Sequence, residues 1–228
     1  MSSTNQTLRN TGLFQGTNDD EISEMVKCLG ARSYRYVPGD FIFRSGDSAD
    51  NLGVVLSGRI EMIKQDWWGN RTVLDTYTAG DVMCTDYACA HGRNMDVSIT
   101  ATEASEVMFF DVSRVTTVCS SSCRFHNRVI RNLVQMLARG SLSMNQRLDH
   151  MSKRTTRDKV CALLSDHARL AGSNEFIIPM NRQEMADHLG VDRSALSAEL
   201  SRMQKDGVIE FSKNHFILLI NEDRPTRP

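Results

Sequence analysis

Apolar positions along the chain change their period several times. Between Asn18 and Gly30 they fall at Ile22, Met25, Val26 and Leu29, one face of a short helix, and Asn18 followed by Glu21 has the form of a capping box. Residues 1 to 12 ahead of it are polar and predict a frayed end. From Ser33 to Ser113 the pattern shortens to alternating runs: YRYV, DFIFR, LGVVLSG, IEMIKQ, TVLDTY, VSITAT and EVMFFDV. Turn residues separate them, as in Pro38-Gly39-Asp40, Gly46-Asp47, Ser57-Gly58, Gly69-Asn70 and Ala79-Gly80-Asp81. Seven or eight strands at this spacing predict a compact β-sandwich or β-roll.

Helical spacing returns over residues 124 to 151. Ile130, Leu133, Leu137, Met144, Leu148 and Met151 form one stripe, flanked by Arg128, Arg131, Arg139 and Arg147. A stripe of this length has the form of a coiled-coil seam and predicts a homodimer, the alternative being a helix laid on the β-roll. Gly140-Ser141 interrupts it, either as a soft point or as a close crossing of two backbones. A fresh helix begins at Thr155 or Thr156, with Asp158 in its first turn and Val160, Leu163, Leu164 and Leu170 on one face. Phe176 to Pro179 predicts a strand.

The segment Asn181 to Gln204 is the most informative. Asn181 and Glu184 make a second capping-box pair, Met185 and Leu189 recur at i, i+4, and Gly190 stands where a chain leaving a helix needs a left-handed residue. Asp192 then caps a second helix in which Leu196, Leu200 and Met203 face inward and Arg193, Ser194, Ser197, Ala198 and Ser201 face outward. A short helix, a sharp turn and a second helix with a small polar outer face suit the DNA major groove, which admits one α-helix. An ordinary helical hairpin with a solvated face is the plainer alternative. The hairpin that follows, Gly207 to Phe211 and His215 to Leu219 around Ser212-Lys213-Asn214, adds a wing. The expected fold class is therefore α+β: a β-roll over residues 1–123, a dimerisation helix over 124–151 and a winged helix-turn-helix over 152–228.

Composition is that of an ordinary soluble protein, with 40% hydrophobic and 24% charged residues in 228. The longest apolar run, Phe216 to Ile220, is strand-sized, and no apolar stretch follows the N-terminus, so no membrane partner and a cytoplasmic location are expected. Net charge is −1 but unevenly placed. Residues 1–123 hold ten Lys/Arg against sixteen Asp/Glu, 124–151 five against one, and 152–228 twelve against eleven. With no strongly basic helix-turn-helix, phosphate affinity must come from a few placed cations and from pairing two copies.

Three stretches in this order resemble the Crp-Fnr family of bacterial regulators: VPGDFIFRSGDSADNLGVVLSGRIEMI with GNRTVLDTYTAGD, then TTRDKVCALL, then NRQEMADHLGVDRSALSAELSRMQKDGVIE. The resemblance runs from about Leu13 to Leu219 and implies a cyclic-nucleotide-binding-like effector domain, a dimer helix and a recognition helix. Two such helices enter successive major grooves of an inverted-repeat operator ~34 Å apart. The implied partners are double-stranded DNA, a second copy of the chain, a small-molecule effector and RNA polymerase. Family base-contacting positions fall on Arg193, Ser194 and Ala198, with Arg182, Ser197 and Ser201 at phosphate or flanking positions. Many members carry Arg where Ala198 stands, so the operator is not transferable.

The family's cavity between roll and dimer helix implies effector contacts from Met83, Tyr87, Val97, Arg128 and Asn132. Members that bind cyclic AMP carry a Gly-Glu pair after a Gly-Asp turn and an Arg-Ser or Arg-Thr pair about ten residues on. Here Gly80-Asp81 is followed by Val82-Met83-Cys84-Thr85-Asp86, and the Arg-Ser positions read Met95-Asp96, with Arg93 the nearest cation. A carboxylate in place of the guanidinium repels a phosphate, so a cyclic nucleotide is not the expected effector. The cofactor is left unnamed and no metal site is expected. Cys119 and Cys123 are the closest cysteine pair, read either as buried small hydrophobes or as a reversible disulfide that makes the regulator redox-responsive. His91 and His126 are the haem-ligand alternatives. Trp67-Trp68 at a hairpin tip is either packed against a neighbour or a contact surface. A cupin-like enzyme is a rival that lacks its His-x-His cluster, and an effector-independent DNA-binding dimer is a second rival.

Overall fold

A computed structural model describes residues 3–90, 92–117 and 124–219. His91, Cys119 and Cys123 lie outside them. The described elements are α1 (Ser3–Asn10), α2 (Asp19–Cys28), β1 (Arg32–Tyr36), β2 (Phe41–Phe43), β3 (Asn51–Ser57), β4 (Arg59–Gln65), β5 (Arg71–Thr78), β6 (Val82–Met83), α3 (Thr85–Cys89), β7 (Ser98–Ala101), β8 (Ser105–Asp111) and α4 (Val112–Thr116). They continue with α5 (Arg124–Ser152), α6 (Thr156–Ala171), β9 (Glu175–Ile177), α7 (Arg182–Leu189), α8 (Arg193–Lys205), β10 (Ile209–Ser212) and β11 (His215–Leu218). The chain forms two compact units, 1–139 and 140–228, which divide at Gly140 inside α5. The α+β class is as the sequence predicts. Among the described residues no helix is long and apolar enough to cross a membrane.

The first unit holds two four-stranded antiparallel sheets, ordered β1-β8-β3-β6 and β2-β7-β4-β5. Side chains alternate across a strand, so β3 sends Val55 into a core shared with Ile60, Met83, Val97, Ile99 and Val107 and sends Leu52 and Val54 to the opposite face. There they meet Met108 and Phe110 of β8 and the apolar faces of α1, α2, α4 and α5. A strand buried on both faces reads as a continuous apolar run, which is why LGVVL does not alternate. The turns repeat one device. Gly39, Gly46 and Gly80 take φ of 93°, 98° and 98°, and the Asp after each accepts a backbone N–H from three residues back: Val37 to Asp40 at 2.9 Å, Arg44 to Asp47 at 2.7 Å and Thr78 to Asp81 at 2.7 Å.

Several expectations are corrected. The N-terminal segment is ordered as α1 because Leu8, Leu13 and Phe14 are fully buried in the helix-side core, an anchor that its polar composition conceals. Asn132 on α5 donates to Leu13 O at 2.9 Å and Gln15 O at 3.0 Å, and Arg128 donates to Gly16 O. Leu133 is 2% exposed inside the same core, so it is no seam residue; Val134, 59% exposed, stands on the outward face in its place. Leu170 is 74% exposed rather than on the inner face of α6. Gly140 continues the helix, and among the described residues nothing beyond the helix's own nearby backbone lies within 4 Å of the place its Cβ would occupy.

The second unit packs α6, α7 and α8 around Val160, Leu163, Leu164, Met185, Leu189, Leu196 and Leu200. The wing is a three-stranded antiparallel sheet, β10-β11-β9, rather than a two-stranded hairpin, because β9 pairs with β11 through Phe176↔Phe216.

Candidate nucleic-acid interface

Helix α7 begins as its capping box dictates. Asn181 Oδ1 accepts the N–H groups of Gln183 at 2.8 Å and Glu184 at 3.0 Å, and Glu184 Oε2 accepts Asn181 N–H at 2.7 Å. It ends at Gly190, φ 60° and ψ 51°, where a Cβ would lie 2.9 Å from Met151 Cε. Asp192 occupies the N-cap of α8 in extended backbone, but its side chain makes no cap hydrogen bond, contrary to expectation. Leu196, Leu200 and Met203 are buried, and Arg193, Ser194, Ser197, Ala198 and Ser201 are exposed. The outward face is the one the periodicity predicts. Ser201 Oγ donates to Ser197 O at 3.0 Å, while the Arg193 side chain makes no hydrogen bond or ion pair within the described chain.

Arg182, expected at a phosphate, is engaged with the wing of its own unit. Its guanidinium lies 4.9 Å from the ring centroid of Phe211 and 5.4 Å from that of Phe216, and it donates to Lys213 O at 3.0 Å. Burial lowers its pKa, though not enough to matter for a guanidinium. It clamps the start of α7 to the wing, where Lys213 takes φ 53° at the tip. Glu199 is a buried charge that supports the outward face and that the sequence did not flag. It is 5% exposed on the inner side of α8, ion-paired with Arg202 and 3.6 Å from Arg157, which also binds Asp206 at 2.6 Å. That network fastens α8 to the start of α6.

Behind α7 lies a histidine cluster. His150, 3% exposed at the end of α5, is 3.1 Å from His188 Nε2 and 3.1 Å from Asp166 Oδ2. Arg147 donates to Asp187 O at 3.0 Å and to His188 O at 3.4 Å. Burial first, then the neighbouring His150, lowers the pKa of both His188 and His167.

The residues expected around an effector fall into two separate groups, Met83, Val97 and Tyr87 in one and Arg128 and Asn132 in the other. Met83 and Val97 are side chains of the core between the sheets, and Arg128 and Asn132 hold the N-terminal segment. Tyr87 donates to Asp96, which also receives Lys64 Nζ at 2.7 Å. Those two hydrogen bonds, Lys64 first, hold Asp96 down at a pKa of about 2, and burial with Asp96 raises Tyr87 to about 12. His126 contacts Val115 O at 2.8 Å and is buried, so it is committed to the backbone. Burial pushes the Cys84 thiol up to about 12 and raises Cys89, so neither favours a thiolate. Trp67 and Trp68 are 96% and 84% exposed at the β4–β5 tip. Among the described residues no group of three or more His, Cys, Asp or Glu is placed to hold a metal ion.

Comparison with known proteins agrees with this architecture. Residues 34–122 match the cyclic nucleotide-binding domain family, and residues 158–224 match the Crp-like helix-turn-helix domain family. Electron transport regulator A of Shewanella oneidensis is 24% identical over 186 residues, 79% of this chain and 72% of that protein. The transcriptional activator protein FnrL of Cereibacter sphaeroides is 24% identical over 232 residues, 92% of this chain and 85% of that protein. The catabolite activator protein of Thermus thermophilus shares the fold with a TM-score of 0.54 at 22% identity, covering 92% of this chain and 94% of that one. A cyclic nucleotide-binding domain followed by a Crp-like helix-turn-helix, with activators of this kind as relatives along most of its length, places the chain in the Crp-Fnr family of DNA-binding transcription regulators, which are not enzymes.

Proposed function

We propose that the chain acts in the cytoplasm as a homodimer that reads an inverted-repeat operator through α8 and responds to a small-molecule effector held by its first unit. The observation that carries the reading is the outward face of α8, where Arg193 projects from the first turn with no partner among the described residues. A guanidinium in that position meets O6 and N7 of guanine in a bidentate pair, and the Ala198 methyl suits the methyl group of thymine. Ser194 shares the base-facing role, and Ser197 and Ser201 reach flanking phosphates. The dimer seam consists of the exposed apolar positions Val134, Met144 and Leu148 of α5 with the half-buried Ile130 and Leu137 beside them, spaced by three, four and seven residues. The effector is not a cyclic nucleotide, because the family's Arg-Ser positions hold Met95, which carries no charge for a phosphate, and Asp96, an ionised carboxylate paired with Lys64.

Selection from random duplexes at moderate salt tests the reading. An inverted repeat with guanine in each half-site is the expected product, and Arg193→Ala should weaken it by about 1–3 kcal/mol while relaxing preference at that base. Recovery of no enriched duplex overturns the regulator reading.

A further inference from the structure

The cavity with the most distinctive chemistry lies away from the five residues of the expected effector site. Between the end of α2, the edge of the β1–β8 pair and β2 there is an open cleft of about 690 Å³. Its floor is aromatic. Phe109 stands edge-on to Tyr34 at 6.0 Å and to Phe43 at 5.8 Å between ring centroids, with half-buried Tyr36 beside them. Its rim is cationic, formed by Lys27, Arg32 and Arg114. None of these three side chains makes a hydrogen bond or ion pair among the described residues. The rim carboxylate, Asp111, accepts from the backbone and hydroxyl of Ser113 through Oδ1 and lies within the field of Arg114 without forming an ion pair.

This arrangement runs against the rest of the unit. Residues 1–123 carry a net charge of −6, and most of the other cations there, Arg9, Arg35, Arg59, Lys64 and Arg71, are ion-paired. Three cations without an ion pair among the described residues, gathered over an aromatic floor with Asp111 the one carboxylate on the rim, give the cleft a net positive charge suited to an anion. Arg114 is also set against Gly30, whose φ of +62° and missing Cβ leave room for the guanidinium; a Cβ would lie 2.5 Å from Nη1.

We propose that this cleft is a binding site for a small aromatic anion: a planar ring lying against Phe109, Tyr34 and Phe43, with a carboxylate or equivalent acid received by Arg114, Arg32 and Lys27. An aromatic floor with a few convergent polar groups is the usual make-up of a ligand site, and a guanidinium takes a carboxylate in a paired, directional contact. As a binding site the cleft stands apart from the DNA reading; as the effector's site it rests on that reading.

Calorimetry on the full chain with naphthalene-1-carboxylate, its neutral counterpart 1-naphthylmethanol and inorganic phosphate tests the proposal. Saturable binding of the carboxylate is expected, about tenfold tighter than the alcohol, with no measurable binding of phosphate alone. Arg32→Gln and Arg114→Gln should each weaken the carboxylate about tenfold and leave the alcohol unchanged, whereas Tyr34→Ala should weaken both. All three side chains are at the cleft surface, and unchanged thermal unfolding of the variants confirms that the fold is intact. Absence of carboxylate binding, equal affinity for the alcohol, or Arg variants that bind as the parent does overturns the site. Binding without any change in operator affinity keeps the site and removes only the effector role.

Discussion

Gly53 in β3 lies under side chains of β6 and β8, its neighbours in the same sheet. A Cβ there would lie 2.7 Å from Met83 Cε and 3.1 Å from Val107 Cγ1, both in the core between the sheets. Gly53→Ala therefore overpacks that core and should cost about 1–3 kcal/mol, read as a lower urea midpoint at unchanged slope. At this scale the sequence is legible where the cause is local. Asn181 with Glu184, and the outward set Arg193, Ser194, Ser197, Ala198 and Ser201, follow from capping chemistry and a 3.6-residue period. Arg182 is not legible in the same way, because Lys213, whose carbonyl it meets, lies 31 residues further along the chain. Glu199 escaped notice for a related reason: charged side chains are rarely buried unless paired, and Arg157 and Arg202 reach it only in the folded unit.

Among the elements, α5 shows most clearly what a periodic pattern does and does not determine. Its apolar stripe is wide enough to serve two surfaces. Val129 and Leu133 are spent on the core of the first unit, with Met136 and Leu137 partly packed against it, while Val134, Met144 and Leu148 remain outward. Residues 133 and 134 differ by one helical step of 100°, so the sequence reveals a stripe but not which edge meets the roll. The two surfaces predict opposite phenotypes. Leu133→Ala leaves a cavity and should destabilise the first unit by about 2–5 kcal/mol, with the sedimentation coefficient unchanged. Leu148→Glu places a charge on an exposed position and should convert a dimer to monomer in analytical ultracentrifugation while leaving the protomer's unfolding midpoint within error. A chain that sediments as a monomer before any substitution would sink the seam. The β-strands were legible as elements because Gly-Asp turns mark their ends, but pairing order was not, since β1 joins β8 across most of the unit.

The first unit carries 14 Lys/Arg against 16 Asp/Glu, with its acidic excess before residue 124, and the second, nearly balanced, carries 13 against 12. The balanced unit contains the pH-sensitive element. His150, Asp166, His167, His188, Arg147 and Arg169 meet where α5, α6 and α7 pack, with Arg169 held by Asp166 at 2.6 Å. Burial and the neighbouring cations lower the folded pKa of His188 and of His167 below the unfolded value of about 6.5. The sign follows from proton counting. Above about pH 6.5 both imidazoles are neutral in either state and linkage contributes nothing; as pH falls below that, the unfolded chain takes up protons that the folded chain refuses. Stability of this unit should therefore decline from pH 7 towards pH 5 and level off once the pH is below the folded values. His188→Gln keeps a polar side chain while removing one of the two shifted groups, so its unfolding midpoint should change less with pH than that of the parent. The helix-turn-helix depends on α7 for its support, so operator affinity should weaken in acid together with stability in the parent and less so in the variant. Parallel pH profiles for the two proteins, in melting temperature and in operator binding, would show that the cluster is not the source.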